Sequence, residues 1–214
     1  MILKCIPGGI FLTNCYIIGD EETNEGILID PGEQMDEILA EIKKSGLDIT
    51  KIVNTHTHID HVAGVQQAKE ELGVKFYLHQ EDEPVLQILP EAAARFPQFG
   101  NVRVPEIDVY IEEGDEIDIG GLKAKVLHTP GHTWGSICLL IDDHVISGDT
   151  LFAGSVGRVD LTGGTSMREL VGSIKSKLMS LPDSYNVYPG HGPFTTIGIE
   201  RRSNPFITGD LAIL

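Results

Sequence analysis

The chain has 214 residues, of which 41% are hydrophobic and 22% are charged. These proportions are typical of a globular domain and exclude a disordered chain. Asp and Glu number 32 and Lys and Arg number 16, so the formal charge is −16. Such an acidic surface disfavours nucleic acid and anionic membranes as partners. The length fits a single domain spanning residues 1–214 with a substantial core.

Three cysteines, Cys5, Cys15 and Cys138, show no CxxC spacing, and their odd number does not suggest a disulfide framework. They lie in strand-like runs, so we expect small buried side chains. The N-terminal segment breaks at Pro7-Gly8-Gly9, too early for a signal peptide, and no apolar run reaches transmembrane length. We therefore expect a cytoplasmic protein.

The first half of the sequence alternates predicted strands and helices. Strands are predicted at 11–18, 26–29, 51–55 and 75–78. Apolar residues at helical spacing predict a helix near 33–45 that ends at Gly46, and a second helix from Val62 to Leu72 that ends at Gly73. This alternation is typical of a layered α/β fold.

The middle of the chain carries weaker signals. Residues 80–89 are predicted to be helical up to Pro90, and 90–107 to be a loop with at most a helical turn. Further strands are predicted at 109–111, 116–119, 122–127, 136–141, 144–146 and 186–188. Ser166 and Glu169 form a capping box before a helical stripe that reaches Leu178. The shared plan of the two halves suggests two sheets packed face to face with helices outside.

The strongest chemical signal is the segment His-Thr-His-Ile-Asp-His at 56–61. It follows a predicted strand, in which residues i and i+2 point to the same side, so His56 and His58 project together. A helix that begins near Asp60 turns His61 inward from another direction. Imidazole and carboxylate groups at this density suit zinc, iron or manganese. The alternative is that these are surface or capping polar residues, with Asp60 an ordinary helix N-cap.

Three further segments end an apolar run with one metal-type ligand each: His132 after Thr-Pro-Gly, Asp149 after Ser-Gly, and His191 after Pro-Gly. In α/β sheets, functional groups gather at these carboxyl ends of strands. Each residue alone is more often a turn residue. With the first segment they supply five His and two Asp, enough for two metal ions that share one carboxylate.

The segments HTHIDH, TPGHT, SGDTLF and YPGHGP, in this order, resemble the metallo-β-lactamase superfamily. The resemblance implies an α/β fold, a four-layer αβ/βα sandwich with a metal site at one edge. It implies that His56, His58 and His132 hold one metal, that Asp60, His61 and His191 hold the other, and that Asp149 bridges them. Asp30, in the segment Leu-Ile-Asp-Pro-Gly, is then a support behind the ligands, or else a simple turn residue.

Within the superfamily, the segments around 129–136, 152–158 and 190–192 are similar to the hydroxyacylglutathione hydrolase (glyoxalase II) branch. That branch places a basic residue near its substrate at the position of Arg158, whose alternative role is a surface salt bridge. Members with a defined glutathione site carry an extra helical domain beyond this length. The sequence is thus similar to a compact form, and its thiol specificity stays open.

This resemblance implies an enzyme that hydrolyses small-molecule thioesters. Its cofactors would be two divalent metal ions, with zinc as the first choice and iron or manganese as alternatives. The metals lower the pKa of a bridging water, and the hydroxide attacks the thioester carbonyl while Asp60 ligates and orients it. A thiol has a pKa of about 8.5, so a thiolate leaves without prior protonation. A monomer and a homodimer are both compatible with the sequence.

Alternative functions remain. A mononuclear iron persulfide dioxygenase uses two His and one Asp, but tends to have Ala-His-Asp where this chain has Gly190-His191-Gly192. A β-lactamase is disfavoured because no signal peptide is evident, and a nuclease by the charge of −16. A non-catalytic metal-binding module is disfavoured because structural zinc sites are usually closed and rich in Cys.

We expect His79, His128 and His144 to lie outside the ligand set, and Trp134 to pack in the core.

Overall fold

Two six-stranded sheets form the centre of the structure, a computed structural model that describes residues 1–209. The first sheet consists of Ile2–Gly8 (β1), Thr13–Gly19 (β2), Glu25–Ile29 (β3), Asp48–Val53 (β4), Lys75–His79 (β5) and Val109–Ile111 (β6). Neighbours in the sheet follow chain order. β1, β2 and β3 pair antiparallel, whereas β3 to β6 run parallel.

The second half of the chain builds the second sheet and a short hairpin. Its strands are Glu116–Ile119 (β7), Leu122–His128 (β8), Ile137–Ile141 (β9), His144–Gly148 (β10), Leu151–Phe152 (β11), Ser155–Val156 (β12), Asn186–Pro189 (β13) and Thr195–Thr196 (β14). β11 and β12 form the hairpin, and the sheet order is β14-β13-β10-β9-β8-β7. Only β10 and β13 pair parallel within this sheet.

The helices cover the outer faces of the sheets. They are Met35–Ser45 (α1), Ile59–Val62 (α2), Val65–Leu72 (α3), Glu83–Gln87 (α4), Leu89–Arg95 (α5), Met167–Ser173 (α6), Ile197–Ser203 (α7) and Pro205–Thr208 (α8). A π-helical turn, Ile174–Leu178, extends α6, and single 3₁₀ turns occupy Gln80–Asp82 and Pro97–Phe99. None of the helices in residues 1–209 combines the length and apolar character needed to cross a membrane.

Alternating side chains of β2 show how one strand serves two layers of the core. Tyr16 and Ile18 join the apolar cluster between the two sheets. Cys15 and Ile17 join the cluster between the first sheet and its helices. A third cluster lies between the second sheet and α6, α7 and α8. The predicted four-layer αβ/βα sandwich is therefore confirmed.

Several helix boundaries follow the sequence signals. α1 and α3 are followed by Gly46 and Gly73 in the left-handed conformation that glycine adopts at low cost. The hydroxyl of Ser166 accepts a hydrogen bond from the backbone N–H of Glu169 and caps α6, as predicted. The predicted strands agree with the observed ones to within a few residues.

Other predictions were wrong. Residues 90–107 are not a loop with a single helical turn, because α5 and the 3₁₀ turn Pro97–Phe99 occupy half of them. Pro90 stands in the first turn of α5, where its missing N–H costs nothing. Trp134 is 42% exposed and does not pack in the core. The edge strand β1 has no counterpart among the predicted strands.

The cysteines are unpaired. Cys15 and Cys138 are buried as predicted, while Cys5 is partly exposed. Burial raises the pKa of the Cys138 thiol to about 11, so this side chain behaves as a small apolar group.

Candidate metal centre

The predicted metal ligands meet at one edge of the sandwich because each follows the carboxyl end of a strand. His56, His58, Asp60 and His61 lie in the loop and helix after β4, His132 follows β8, Asp149 follows β10 and His191 follows β13. The side chain of Asn54 donates hydrogen bonds to the backbone oxygens of His56 and His61, at 3.2 and 2.8 Å, and so fixes this loop. All seven predicted metal ligands are thus brought together.

The first group of ligands consists of three imidazoles. Nδ1 of His58 lies 2.9 Å from Nε2 of His132, and Nε2 of His56 lies 3.2 Å from the same atom. The rings meet edge to face, with His56 and His132 at 80° and His58 and His132 at 87°. Three lone-pair positions therefore converge on one point.

The second group combines two imidazoles with a carboxylate. Nε2 of His61 lies 3.3 Å from Nε2 of His191, and Oδ2 of Asp60 lies 3.2 Å from the latter atom. The hydroxyl of Thr13 donates a 2.7 Å hydrogen bond to Oδ2 of Asp60 and holds this carboxylate in place.

Asp149 connects the two groups. Its Oδ2 lies 3.5 Å from Nε2 of His132 and 3.5 Å from Nε2 of His191. Its Oδ1 is buried and lies 3.4 Å from Nε2 of His61 without a well-formed hydrogen bond, so this oxygen is available to a cation.

The distances fit the metal chemistry that the donor set suggests. Around a tetrahedral ion with bonds of about 2.05 Å, neighbouring donor atoms lie about 3.3 Å apart. The contacts between imidazole nitrogens in both groups, at 2.9, 3.2 and 3.3 Å, are close to that value. Imidazole and carboxylate donors suit zinc and also iron and manganese. The residues can therefore hold metal ions.

The second nitrogen of every imidazole in the centre contacts an oxygen atom of the protein. These contacts are His56 with the Thr55 hydroxyl, His58 with the Thr162 carbonyl, His61 with Asp30, His132 with the Arg158 carbonyl and His191 with the Phe11 carbonyl. Such partners orient metal-binding imidazoles and raise their basicity. In this pattern His58 presents Nδ1 to the centre and the other four present Nε2.

Protonation differs between the two groups. Burial lowers the pKa of His56 well below its usual range and that of His132 to about 4. For His191, burial lowers the pKa, but hydrogen bonds with Asp149 and Asp60 outweigh it and raise the pKa to about 9. In His61 the charges of the same two carboxylates likewise overcome burial and raise the pKa well above its usual value. Protons on His61 and His191 therefore balance the carboxylates when no metal is bound.

The two carboxylates stay ionised. Burial raises the pKa of Asp60, but the charge of His61 and the hydrogen bond with His191 hold it well below its usual range. Burial also opposes ionisation of Asp149, and the same two histidines overcome it. Anionic ligands are thus present at neutral pH.

Gly190 allows the loop after β13 to approach the centre closely. A Cβ atom at this position would clash with Oδ1 of Asp149 and lie 2.7 Å from Cε1 of His61. A larger residue would displace Asp149 and His61, so sterics require a glycine at position 190.

Asp82 is a buried acid that the sequence analysis did not single out. Its Oδ2 accepts a 2.7 Å hydrogen bond from the hydroxyl of Thr57, between His56 and His58. Its Oδ1 accepts a 3.2 Å hydrogen bond from the backbone N–H of Gly135 in the loop that carries His132. Asp82 thus ties two ligand loops together. No local pattern marks it, because Gln-Glu-Asp-Glu at 80–83 resembles any solvated acidic run.

A cavity of about 520 Å³ opens over the metal centre. His58, Asp60, His132, Asp149 and His191 lie on its floor. One wall comes from α4, α5 and the residue after α5, with the apolar side chains Val85, Ile88, Leu89, Ala92 and Phe96. This volume lies in the range of small-molecule sites.

Arg158 lines the same cavity. Its guanidinium forms a bidentate ion pair with Asp160, with N–O distances of 2.9 and 2.8 Å, and both side chains are more than 60% exposed. The structure therefore places the residue at the cavity and also gives it the surface salt bridge that the sequence left as the alternative.

A further group of possible ligands, His79, Glu81 and His128, lies outside the centre. The rings of His79 and His128 stack in parallel at 4.0 Å. Their nitrogens already contact the protein, since Nδ1 of His79 accepts from the N–H of Glu81 and Nε2 of His128 contacts the Trp134 carbonyl. His144 stacks on Tyr188. All three histidines lie outside the predicted ligand set.

Comparison with known proteins agrees with the fold. Residues 8–191 match the family model described as the metallo-beta-lactamase superfamily. The chain therefore belongs to the metallo-β-lactamase superfamily.

Two relatives show the range of this similarity. An uncharacterized protein of Aquifex aeolicus (strain VF5) is 45% identical over 96% of this chain and 97% of its own length. The hydroxyacylglutathione hydrolase GloC of Haemophilus influenzae (strain ATCC 51907 / DSM 11121 / KW20 / Rd) is 36% identical over 97% of this chain and 98% of its own length.

Two solved structures are similar over nearly their whole length. The BLEG-1 B3 metallo-beta-lactamase has a TM-score of 0.89 at 33% identity, covering 97% of this chain and 100% of that chain. TTHA1623 in a di-iron-bound form has a TM-score of 0.85 at 38% identity, covering 95% and 99%.

Proposed function

We propose that this protein is a metal-dependent hydrolase of small-molecule thioesters, of the hydroxyacylglutathione hydrolase type, and that it works with two divalent ions. The observation that carries the proposal is the pair of ligand groups joined by Asp149 on the floor of an open cavity. The likeness to GloC over almost the full length of both chains supports the choice of substrate bond. We place the protein in the reducing cytoplasm, which suits its three unpaired cysteines.

When bound, two divalent ions would supply a nucleophilic water at neutral pH and a Lewis acid for the carbonyl. His56, His58 and His132 would hold one ion, and Asp60, His61 and His191 the other. The carboxylate of Asp149 would contact both. Asp60, ionised and held by Thr13, accepts a proton or hydrogen bond from the attacking water and orients it.

The cavity favours a leaving group that departs as an anion. Hydrolysis forms a C–O bond from water and breaks the C–S bond, and the sulfur takes the bonding electrons. Apart from the predicted metal ligands, the described residues that line the cavity include no Lys, Tyr, Cys, Asp or Glu that could protonate a leaving atom. A thiolate leaves without that help because a thiol has a pKa of about 8.5, whereas an amine does not. This contrast supports a thioester over an amide.

The test is turnover by protein loaded separately with Zn²⁺, Fe²⁺ or Mn²⁺ after chelator treatment. S-lactoylglutathione leads a panel that also contains an acyl-N-acetylcysteamine thioester and a β-lactam. We expect thioester hydrolysis with two ions per chain, loss of activity by roughly a thousandfold or more in His56→Ala, and no β-lactam turnover.

Two outcomes would overturn the proposal. One iron per chain with oxygen uptake on glutathione persulfide would identify a dioxygenase. Failure of the metallated protein on every compound of the panel and on glutathione persulfide would favour a metal-binding module. Hydrolysis that persists in His56→Ala would contradict the site.

A further inference from the structure

The cavity over the metal centre has an apolar wall that small polar acyl groups such as lactoyl would not use. Ile88, Ala92 and Phe96 on this wall are only partly buried in the structure. Phe11 and Leu161 also line the cavity, and each is 40% exposed. Partly exposed apolar side chains in a ligand site mark a place where a substrate's apolar part leaves water.

The wall is held in a fixed position by aromatic contacts. Phe11, in the turn between β1 and β2, meets Phe96 edge to face at a centroid distance of 5.4 Å. Phe11 also stacks on Phe99 at 6.1 Å. These contacts connect α5 to the first hairpin, so the cavity is largely formed before a ligand binds.

The charged side chains of the cavity indicate a second property of the ligand. Only two cationic side chains, Arg95 and Arg158, line the cavity among the described residues, apart from the histidines. Asp160 neutralises Arg158 through a bidentate ion pair. Arg95 is exposed at the end of α5 and has no hydrogen-bond or ion-pair partner in the part of the chain that the structure describes. The acidic residues of the lining, Asp60 and Asp149, belong to the metal centre.

We propose that the cavity selects thioesters whose acyl group is an apolar chain ending in a carboxylate, with the chain along the α4–α5 wall and the carboxylate on Arg95. This inference rests on the proposed thioesterase function and specifies its substrate class. Water adds to the carbonyl carbon, the C–S bond breaks with release of the thiolate, and the acid product is a dicarboxylate.

The test uses N-acetylcysteamine thioesters, whose thiol part is small and neutral. The acyl groups are acetyl, butanoyl, hexanoyl, ω-carboxyhexanoyl and the methyl ester of the latter. We expect kcat/KM to rise about fourfold per methylene until the cavity is filled. The free carboxylate should add roughly tenfold over its methyl ester, the value of one hydrogen bond to a charged group.

Arg95→Gln should abolish the advantage of the carboxylate over the methyl ester. Arg168→Gln is the matched control, because Arg168 is exposed on α6 and does not line the cavity. It should keep the full ratio. Ile88→Asn should lower the ratio of hexanoyl to acetyl turnover by about tenfold, because it places an amide on the apolar wall.

The proposal is wrong if kcat/KM is independent of acyl length, or if Arg158→Gln rather than Arg95→Gln removes the carboxylate advantage. Hydrolysis of these thioesters without such selectivity would overturn only the substrate class. If no thioester is hydrolysed, the proposed function fails instead. In that case, calorimetric binding of the matching thioethers, with and without the carboxylate, still tests the wall and Arg95.

Discussion

Asp30 contacts His61 behind the metal centre, with Oδ2 3.0 Å from Nδ1 of the imidazole. Its other oxygen accepts a 2.7 Å hydrogen bond from the backbone N–H of Thr55. Asp30 follows β3 in a left-handed conformation, with φ of 52°, and is 1% exposed. The carboxylate thus acts on the metal centre through His61 and joins β3 to the ligand loop after β4.

Asp30→Asn should lower metal affinity at the group that contains His61 by roughly ten- to a hundredfold, because an amide orients the imidazole less well and adds no negative charge. Competition with a chromophoric chelator measures the change. Asp143→Asn is the control, since the carboxylate of Asp143 forms an ion pair with His144 outside the site. Equal affinities of Asp30→Asn and the parent protein would contradict the role of Asp30.

Removing one ligand from each group should separate the two proposed metal positions. His58→Ala and His191→Ala should each reduce the bound metal from two ions to one per chain under a modest excess of chelator. Asp149→Asn should reduce both occupancies, because its oxygens face both groups. Elemental analysis by mass spectrometry gives the counts. Two ions retained in either histidine variant would argue against this division of ligands.

Metal binding should release protons at neutral pH. The pKa of His191 is raised to about 9 and that of His61 well above its usual value, so both are protonated at pH 7.5 without metal. His132, with a pKa of about 4, carries no proton to release. Because an imidazole must lose its proton to bind a cation, we expect these two imidazoles to release about two protons and the metal affinity to rise with pH up to about 9.

Calorimetric titration in buffers of different ionisation enthalpy counts these protons. His191→Ala should release about two protons fewer than the parent protein, because the group that contains His61 no longer binds an ion and His61 keeps its proton. A binding enthalpy that does not depend on the buffer would show that both histidines are neutral before metal arrives.

The predicted metal ligands could be grouped from the sequence because their signal is local. The spacing of His56, His58 and His61, and the short turns before His132 and His191, can be recognised without knowing the fold. Sheet topology then brings these segments to one edge, since each follows the carboxyl end of a strand. The layered arrangement was suggested for the same reason, because apolar periodicity marks most strands of the two sheets and the helices α1, α3 and α6.

The substrate side of the site was not predictable from local pattern. α5 begins beside Pro90, which also fits a loop, and its helical state depends on packing of Leu89 and Ala93 in the core. Strand β1 contains Pro7, which an edge strand tolerates but a sequence pattern penalises. Arg95 acquires its place at the cavity only because α5 forms.

Asp82 supports the last prediction, because its contacts with Thr57 and Gly135 span two ligand loops. The Thr57 hydroxyl and the Gly135 backbone N–H both donate hydrogen bonds to the carboxylate of Asp82. In Asp82→Asn the amide NH₂ faces one of these donors, so that hydrogen bond is lost, and the fold should be destabilised by about 1–3 kcal/mol. Thr57→Val removes the hydroxyl at nearly constant volume. Urea unfolding of both single variants and the double variant should give a coupling energy of about 0.5–3 kcal/mol, because the two groups share one hydrogen bond. Additive effects within error would mean that Asp82 does not hold the loop of His56 and His58 through Thr57.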